Sequence, residues 1–195
     1  MGYIIDVLKR FGMSYSKPVS TSMDVNVKVT KSEQDPKVEE RKLPFRELVG
    51  ALMYLAVATR PDISYAVSAL SQFNTCYGKI HWTAANRVLR YLKESVQLGL
   101  IFKPVSESLK GYVDSDWVSC SIDRRSYTGY IFNLGNCAMS WNSKKQRTVA
   151  LSSTEAEYMG LAEAAKETMH LRGFLDELGF MSLANTTVLH ENIGD

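Results

Sequence analysis

The chain has 195 residues, of which 45% are hydrophobic and 23% charged, so we expect a globular, core-forming protein of one or two domains. Its 23 basic and 21 acidic side chains leave a net charge of +2, too weak by itself to indicate a nucleic-acid binder. The three cysteines lie far apart, which argues against a zinc site or a disulfide framework and favours a reducing compartment. No apolar run approaches the roughly 20 residues of a membrane span, so we expect an intracellular protein, cytoplasmic or nuclear, with no membrane partner.

Helical periodicity dominates the first half of the sequence. A polar, turn-rich stretch at 14–42 interrupts it and predicts a linker or long loop. Pro61 suits the first position of a helix, and Gly78 separates two apolar-periodic segments. We therefore predict a helical domain over 1–97. Its predicted helices are about 3–11, 44–59, 63–73 and 79–96.

After Gly99 the apolar period changes from 3.6 to 2, which indicates strands. Gly135 and Asn136 predict a hairpin turn between two of them. The predicted strands are 98–102, 111–117, 127–134, 137–142 and 186–190.

A long helix over about 154–178 separates the last two of these strands. Thr154 and Glu157 have the spacing of a capping box at its start. The order of elements predicts an α+β arrangement that passes into α/β. The stripe predicted to be buried on this helix is Met159, Ala162, Ala165, Met169, Leu171, Phe174, Leu175 and Leu178.

Three acidic residues occupy strand, helix and strand positions in this second half. Asp114 lies in the strand 111–117, Glu157 in the first turns of the helix, and Glu191 after the last strand. If they converge at one edge of a sheet, their repulsion requires a cation or a raised pKa, and oxygen ligands suit Mg²⁺ or Mn²⁺. The alternative is that Glu155 and Glu157 are ordinary acids favoured by the helix dipole, and that Asp114 and Asp116 mark a polar strand edge.

The run SWNSKKQRTVALSSTEAEYM, residues 140–159, is long and specific. It resembles the RNase H region of copia-type retrotransposon polyproteins. Further segments that resemble this family are 3–18, 48–55, 59–63, 81–82, 87–93, 123–126 and 128–130.

The resemblance implies a helical segment over 1–97, similar to the thumb and connection of reverse transcriptase. It implies an RNase H-like domain over 98–195, a mixed sheet with a long helix, C-terminally truncated. Its implied activity is cleavage of the RNA strand of RNA–DNA hybrids. The metal, Mg²⁺ or Mn²⁺, would be held by Asp114, Glu157 and Glu191. The implied partners are a hybrid or other nucleic acid and the upstream reverse transcriptase domain of a parent polyprotein.

The sequence departs from the family pattern at its third and fourth acids. Glu191-Asn192 stands where the family has Asp-Asn, and the fourth acid is expected after a further strand and helix. We therefore expect impaired hydrolysis, and a catalytically inactive remnant or nucleic-acid-binding module is the alternative. The sequence has no adjacent Asp-Asp pair, so we expect polymerase activity to be absent from this chain.

Basic residues form two groups, one on the predicted helix before Gly99 and one around the predicted hairpin. Given the resemblance, we expect both to contact a nucleic-acid backbone, since A-form-like duplexes are recognised by shape and phosphates. The alternative is a solvated helix face and a solvated turn. The candidates are Arg87, Arg90 and Lys93, then Arg124, Arg125, Lys144, Lys145 and Arg147.

Overall fold

A computed structural model describes residues 2–24, 43–103, 108–117 and 123–184, and the backbone of 188–191. The chain forms two compact units, Met1–Gly99 and Leu100–Asp195, and together they make an α+β protein. Within the described residues, no helix has both the length and the apolar character that crossing a bilayer requires.

The first unit is helical, as its apolar periodicity predicted. Helix α4 is amphipathic, and its side facing the core carries Ala85, Val88, Leu89 and Leu92, all fully buried at i, i+3, i+4 and i+7. It packs against the three other α-helices described in the unit. The elements are α1 (Gly2–Arg10), α2 (Phe45–Ala58), a 3₁₀ turn (Pro61–Ile63), α3 (Ser64–Ser71) and α4 (Lys79–Glu94).

The described residues of the second unit form a four-stranded sheet with one long helix. The strand order is β3-β2-β1-β4, with the first three strands antiparallel and β4 parallel to β1. The parallel strand follows a long crossover, as parallel pairing requires. The elements are β1 (Lys110–Asp116), β2 (Tyr127–Leu134), β3 (Cys137–Lys145), α5 (Ser153–Glu177), α6 (Met181–Ala184) and β4 (Val188–Glu191).

The hairpin between β2 and β3 confirms the predicted turn. Gly135 and Asn136 both have positive φ, 56° and 62°, as a two-residue turn of the I′ type requires. One face of the sheet then packs against α5. The core between them contains Leu109, Val113, Phe132, Ala164, Leu171, Leu175 and Ala184.

The predicted strand at 98–102 is wrong. These residues form no strand, and Leu98, Ile101 and Phe102 are exposed. Alternating apolar residues make a strand only where a neighbouring strand accepts their backbone hydrogen bonds, and this segment pairs with none of the described strands. The short helix α6 was not predicted.

The N-cap of α5 lies two residues before the predicted one, and the helix begins at Ser153. Ser152 is the N-cap, and its Oγ accepts a hydrogen bond from the backbone N–H of Glu155 at 3.1 Å. The Glu155 carboxylate accepts in return from the backbone N–H of Leu151 at 2.7 Å. The capping roles predicted for Thr154 and Glu157 are therefore wrong, and Glu157 is left without a capping function.

The predicted buried stripe of α5 is correct only at Leu171 and Leu175. Met169, Phe174 and Leu178 are exposed, and small residues take the positions closest to the sheet. Apolar residues occur on more than one side of α5, so periodicity alone could not identify the side that packs. The buried residues are Ala156, Gly160, Ala164, Leu171 and Leu175.

Candidate functional site

Asp114 lies in β1, opposite Gly129 of β2. Its neighbours Val113 and Ser115 face α5: Val113 belongs to the core shared with that helix, and Ser115 approaches Gly160. Because side chains alternate along a strand, Asp114 and Asp116 share the opposite face, where both are exposed. The carboxylates are therefore available to water and to a ligand.

Glu157 lies on the side of α5 that faces the sheet. It precedes the buried Ala164 and Leu171 at seven-residue intervals, so it shares their side of the helix while remaining exposed beyond the core. Glu155 precedes the exposed Met169 by two such intervals, lies on the outer side, and is used in capping. The helix therefore distinguishes the two glutamates, and the outer one has a structural role.

Glu191 is described through its backbone alone. The parallel pairing of β1 and β4 places it opposite Val113, the residue before Asp114. Among the described side chains, no group of three acidic, histidine or cysteine residues could hold a metal ion. Asp114 and Glu157 offer oxygen donors of the kind that Mg²⁺ and Mn²⁺ prefer, so their chemistry fits such an ion.

The basic cluster around the hairpin is divided by the structure. Lys145 donates to the Asp123 carboxylate at 3.0 Å, and Arg125 lies 3.7 Å from it. Arg124 is exposed and adopts a positive φ of 57°. Asp123 therefore holds Arg125 and Lys145 near the start of β2. Lys144 does not belong to this group and lies on a different surface.

Lys144 lies on the α5 side of the sheet, opposite Thr128. With Arg147 it lines a groove of about 190 Å³ between β3 and α5. Glu163 lies across this groove, where its hydrogen bond with Lys166 and the charges of Lys166, Lys144 and Arg147 hold its pKa below the ordinary value. The groove wall combines apolar, aromatic and cationic groups: Thr128, Tyr130, Asn142, Lys144, Lys145, Gln146, Arg147, Met159, Ala162 and Glu163.

The basic residues of α4 contact the chain that precedes α2. Arg90 donates to the Lys17 carbonyl at 2.6 Å, and Lys93 to the Ser16 carbonyl at 2.6 Å. Arg87 lies 3.2 Å from the carboxylate of Asp24. The described part of the predicted linker is therefore held on α4 by these side chains, which gives them a structural role that the sequence did not indicate.

Comparison with known proteins identifies the family. Over 91% of the chain, the sequence is 45% identical to the Retrovirus-related Pol polyprotein from transposon TNT 1-94 of Nicotiana tabacum. Over 98% of the chain it is 40% identical to the Retrovirus-related Pol polyprotein from transposon RE2 of Arabidopsis thaliana. The chain belongs to the Pol polyproteins of copia-type retrotransposons.

This copia-type Pol segment spans 14% of the TNT 1-94 polyprotein and 13% of the RE2 polyprotein. It is also 50% identical to the Secreted RxLR effector protein 161 of Plasmopara viticola, over 67% of the segment and 93% of the effector. No protein-family model matches the segment, and no solved structure matches it.

The sequence of the Pol segment did not indicate the role of Gln146. Gln146 is buried at the end of β3, and its side chain bonds both β2 and α5. In the sequence it stands between Lys145 and Arg147, in a run that reads as exposed and basic. Nothing in that pattern separates it from its charged neighbours, because its burial arises from the meeting of the sheet and helix.

Proposed function

We propose that the unit Leu100–Asp195 is an RNase H-like domain that hydrolyses the RNA strand of RNA–DNA hybrids during reverse transcription. The observation that carries the proposal is the placement of Asp114 and Glu157. Both are exposed and lie on two elements that pack against each other where Gly160 meets Ser115, with Asp114 on the face of β1 opposite to the one that contacts α5. The backbone of Glu191 lies beside Val113 in the adjacent strand and supports the same placement.

Asp114, Glu157 and Glu191 would hold Mg²⁺ or Mn²⁺ through carboxylate oxygens. The bound metal would activate water and stabilise the charge on the phosphodiester as the bond breaks. Lys144 and Arg147 would bind backbone phosphates, since their groove offers two cations next to Tyr130. Glu191 is one methylene longer than the aspartate of the family pattern, and small displacements of reacting groups cost rate, so we expect activity below that of a complete site.

The test is cleavage of a labelled RNA–DNA hybrid with and without Mg²⁺. The matched pair is Asp114→Asn and Asp116→Asn, because both acids are exposed on one face of one strand. The proposal predicts at least about a 100-fold loss for Asp114→Asn and a near-normal rate for Asp116→Asn. Equal cleavage by wild type and Asp114→Asn, or none by wild type, would remove the enzymatic proposal.

A second candidate function is a non-catalytic binding module. The match with an effector covers 93% of that protein, so a chain built almost wholly from related sequence exists outside a polyprotein. Under this alternative, the segment would bind nucleic acid without cleaving it. Hybrid binding that persists without Mg²⁺, together with no cleavage at any Mg²⁺ concentration, favours the module over the enzyme.

A further inference from the structure

A network of buried and partly buried hydrogen bonds connects the three antiparallel strands to the first turn of α5. Ser115 Oγ and Thr128 Oγ1 are 3.2 Å apart. Gln146 Nε2 donates to Thr128 Oγ1 at 2.9 Å and to the Ala156 carbonyl at 2.8 Å. The Gln146 backbone N–H also donates to the Ser126 carbonyl at 2.9 Å, which fixes the residue at the end of β3.

The contacts of this network make it costly to rearrange. Gln146 and Thr128 are 7% and 5% exposed, and a buried polar group that loses its partner loses free energy comparable to a hydrogen bond. Gln146 Nε2 has two hydrogens and uses both, one toward the sheet and one toward the helix. The amide group therefore fixes the distance between β2 and the start of α5.

Each end of the network lies next to one of the candidate metal-binding acids. Ser115 directly follows Asp114 in β1, and Ala156 directly precedes Glu157 in α5. Close packing reinforces the same junction, because a Cβ at Gly160 would overlap Ser115 Oγ and lie 3.3 Å from Thr128 Cγ2. Any displacement of the first turn of α5 relative to β1 must therefore break a buried hydrogen bond or open this contact.

We propose that Gln146 is a positioning residue, which acts through Thr128 and Ala156 to hold Glu157 in fixed register with Asp114. The effect on metal binding rests on the proposed function. That Gln146 fixes the start of α5 relative to the sheet does not. Groups that orient metal ligands commonly change metal affinity by about 10–100-fold when they are removed. A Gln146 variant is expected to behave in this way although Gln146 itself contacts no metal.

The experiment compares Gln146→Met with Thr128→Val and the conservative Thr128→Ser. Thr128→Val keeps the volume and removes the hydroxyl, so it tests the network if Gln146→Met does not fold. The matched control is Ser140→Ala, since Ser140 Oγ donates to the Glu167 carboxylate at 2.6 Å and forms a sheet-to-helix bond well away from both acids. Two measurements are made on the full chain: the affinity for Mn²⁺ by calorimetry, and amide hydrogen exchange over residues 155–160.

We expect Gln146→Met and Thr128→Val to weaken Mn²⁺ binding about ten-fold or more and to accelerate exchange in the first turn of α5. Thr128→Ser and Ser140→Ala should leave both measurements close to wild type. Unchanged exchange in the two disruptive variants, or equal effects in the Ser140→Ala control, would overturn the inference. If wild type neither binds Mn²⁺ nor cleaves hybrid, the proposed function fails, and the exchange data alone decide whether Gln146 fixes the first turn.

Discussion

Arg60 and Asp62 form an ion pair that joins the end of α2 to the end of α4. Arg60 Nε and Nη2 donate to the Asp62 carboxylate at 2.9 and 2.6 Å, while Nη1 donates to the Ser95 carbonyl at 3.1 Å. Tyr91 adds a hydrogen bond to the same carboxylate at 2.7 Å. Arg60 is only 2% exposed, so these partners, rather than water, compensate its positive charge.

Removing the carboxylate of this pair should destabilise the first unit. We expect Asp62→Asn to lower the free energy of unfolding by about 3 kcal/mol, because it leaves the buried guanidinium of Arg60 uncompensated. The control is Asp24→Asn, which removes a carboxylate from the more exposed Arg87 and should cost less than about 1 kcal/mol. Urea unfolding of both variants measures the difference, and equal costs would show that burial does not strengthen the Arg60 pair.

The same pair should make stability depend on acid pH. Burial alone would raise the pKa of Asp62, but hydrogen bonds from Arg60 and Tyr91 and the charge of Arg60 hold that pKa below its ordinary value. The stabilisation is therefore complete above the unfolded pKa of about 3.9 and is lost as the pH falls through the lower folded value. Unfolding free energies from about pH 6 to about pH 2 should fall more steeply for wild type than for Asp62→Asn. Parallel curves would exclude this contribution.

The start of α5 offers a test that separates the structure from the sequence prediction. Ser152→Ala should cost about 1 kcal/mol, because the hydroxyl satisfies the backbone N–H of Glu155. Thr154→Ala should change stability by less than about 0.5 kcal/mol, since Thr154 is an exposed residue inside the helix. Thermal or urea unfolding measures both, and a larger effect at Thr154 would restore the predicted capping box.

Local chemistry explains which parts of the fold could be predicted from the sequence. The hairpin followed from Gly135 and Asn136 because both residues tolerate the positive φ that the turn requires. The strand at 98–102 failed because pairing depends on a distant partner that alternation cannot reveal. The prediction of the buried stripe of α5 was wrong at Met169, which is exposed, because glycine and alanine make the close contacts with the sheet.

The acids of the candidate site are predictions from the sequence, whereas the residues that hold their strand and helix in place could not be predicted from it. Glu157 and Glu155 are distinguishable by helical period, since only Glu157 shares a side with Ala164. The partners of Arg90 and Lys93 could not be predicted, because they are backbone carbonyls more than seventy residues earlier in the chain. The hydrogen bonds of Ser115, Thr128 and Gln146 could not be predicted for the same reason, because they join segments that are separate in the sequence.

The contact between Gly160 and Ser115 should behave as a coupled pair. Gly160→Ala gains helix propensity of about 1 kcal/mol but places a Cβ against Ser115 Oγ, and overpacking typically costs about 1–3 kcal/mol. Ser115→Gly removes the obstructing side chain, so the double variant should be more stable than the sum of the single effects by about 1 kcal/mol. A double-mutant cycle measured by urea unfolding supplies the coupling, and additive effects would contradict close packing at this position.

The two groups of basic residues should contribute differently to hybrid binding. Lys144 and Arg147 line an open groove, so their joint replacement by alanine should reduce the slope of log affinity against log salt by about 1.5–2. Glu163→Gln should raise affinity, because it removes the acid across the groove. Arg90→Ala should leave the slope nearly unchanged, because Arg90 is engaged by the Lys17 carbonyl. Fluorescence anisotropy with a labelled hybrid measures the slopes, and a larger loss at Arg90 would assign phosphate binding to α4 instead.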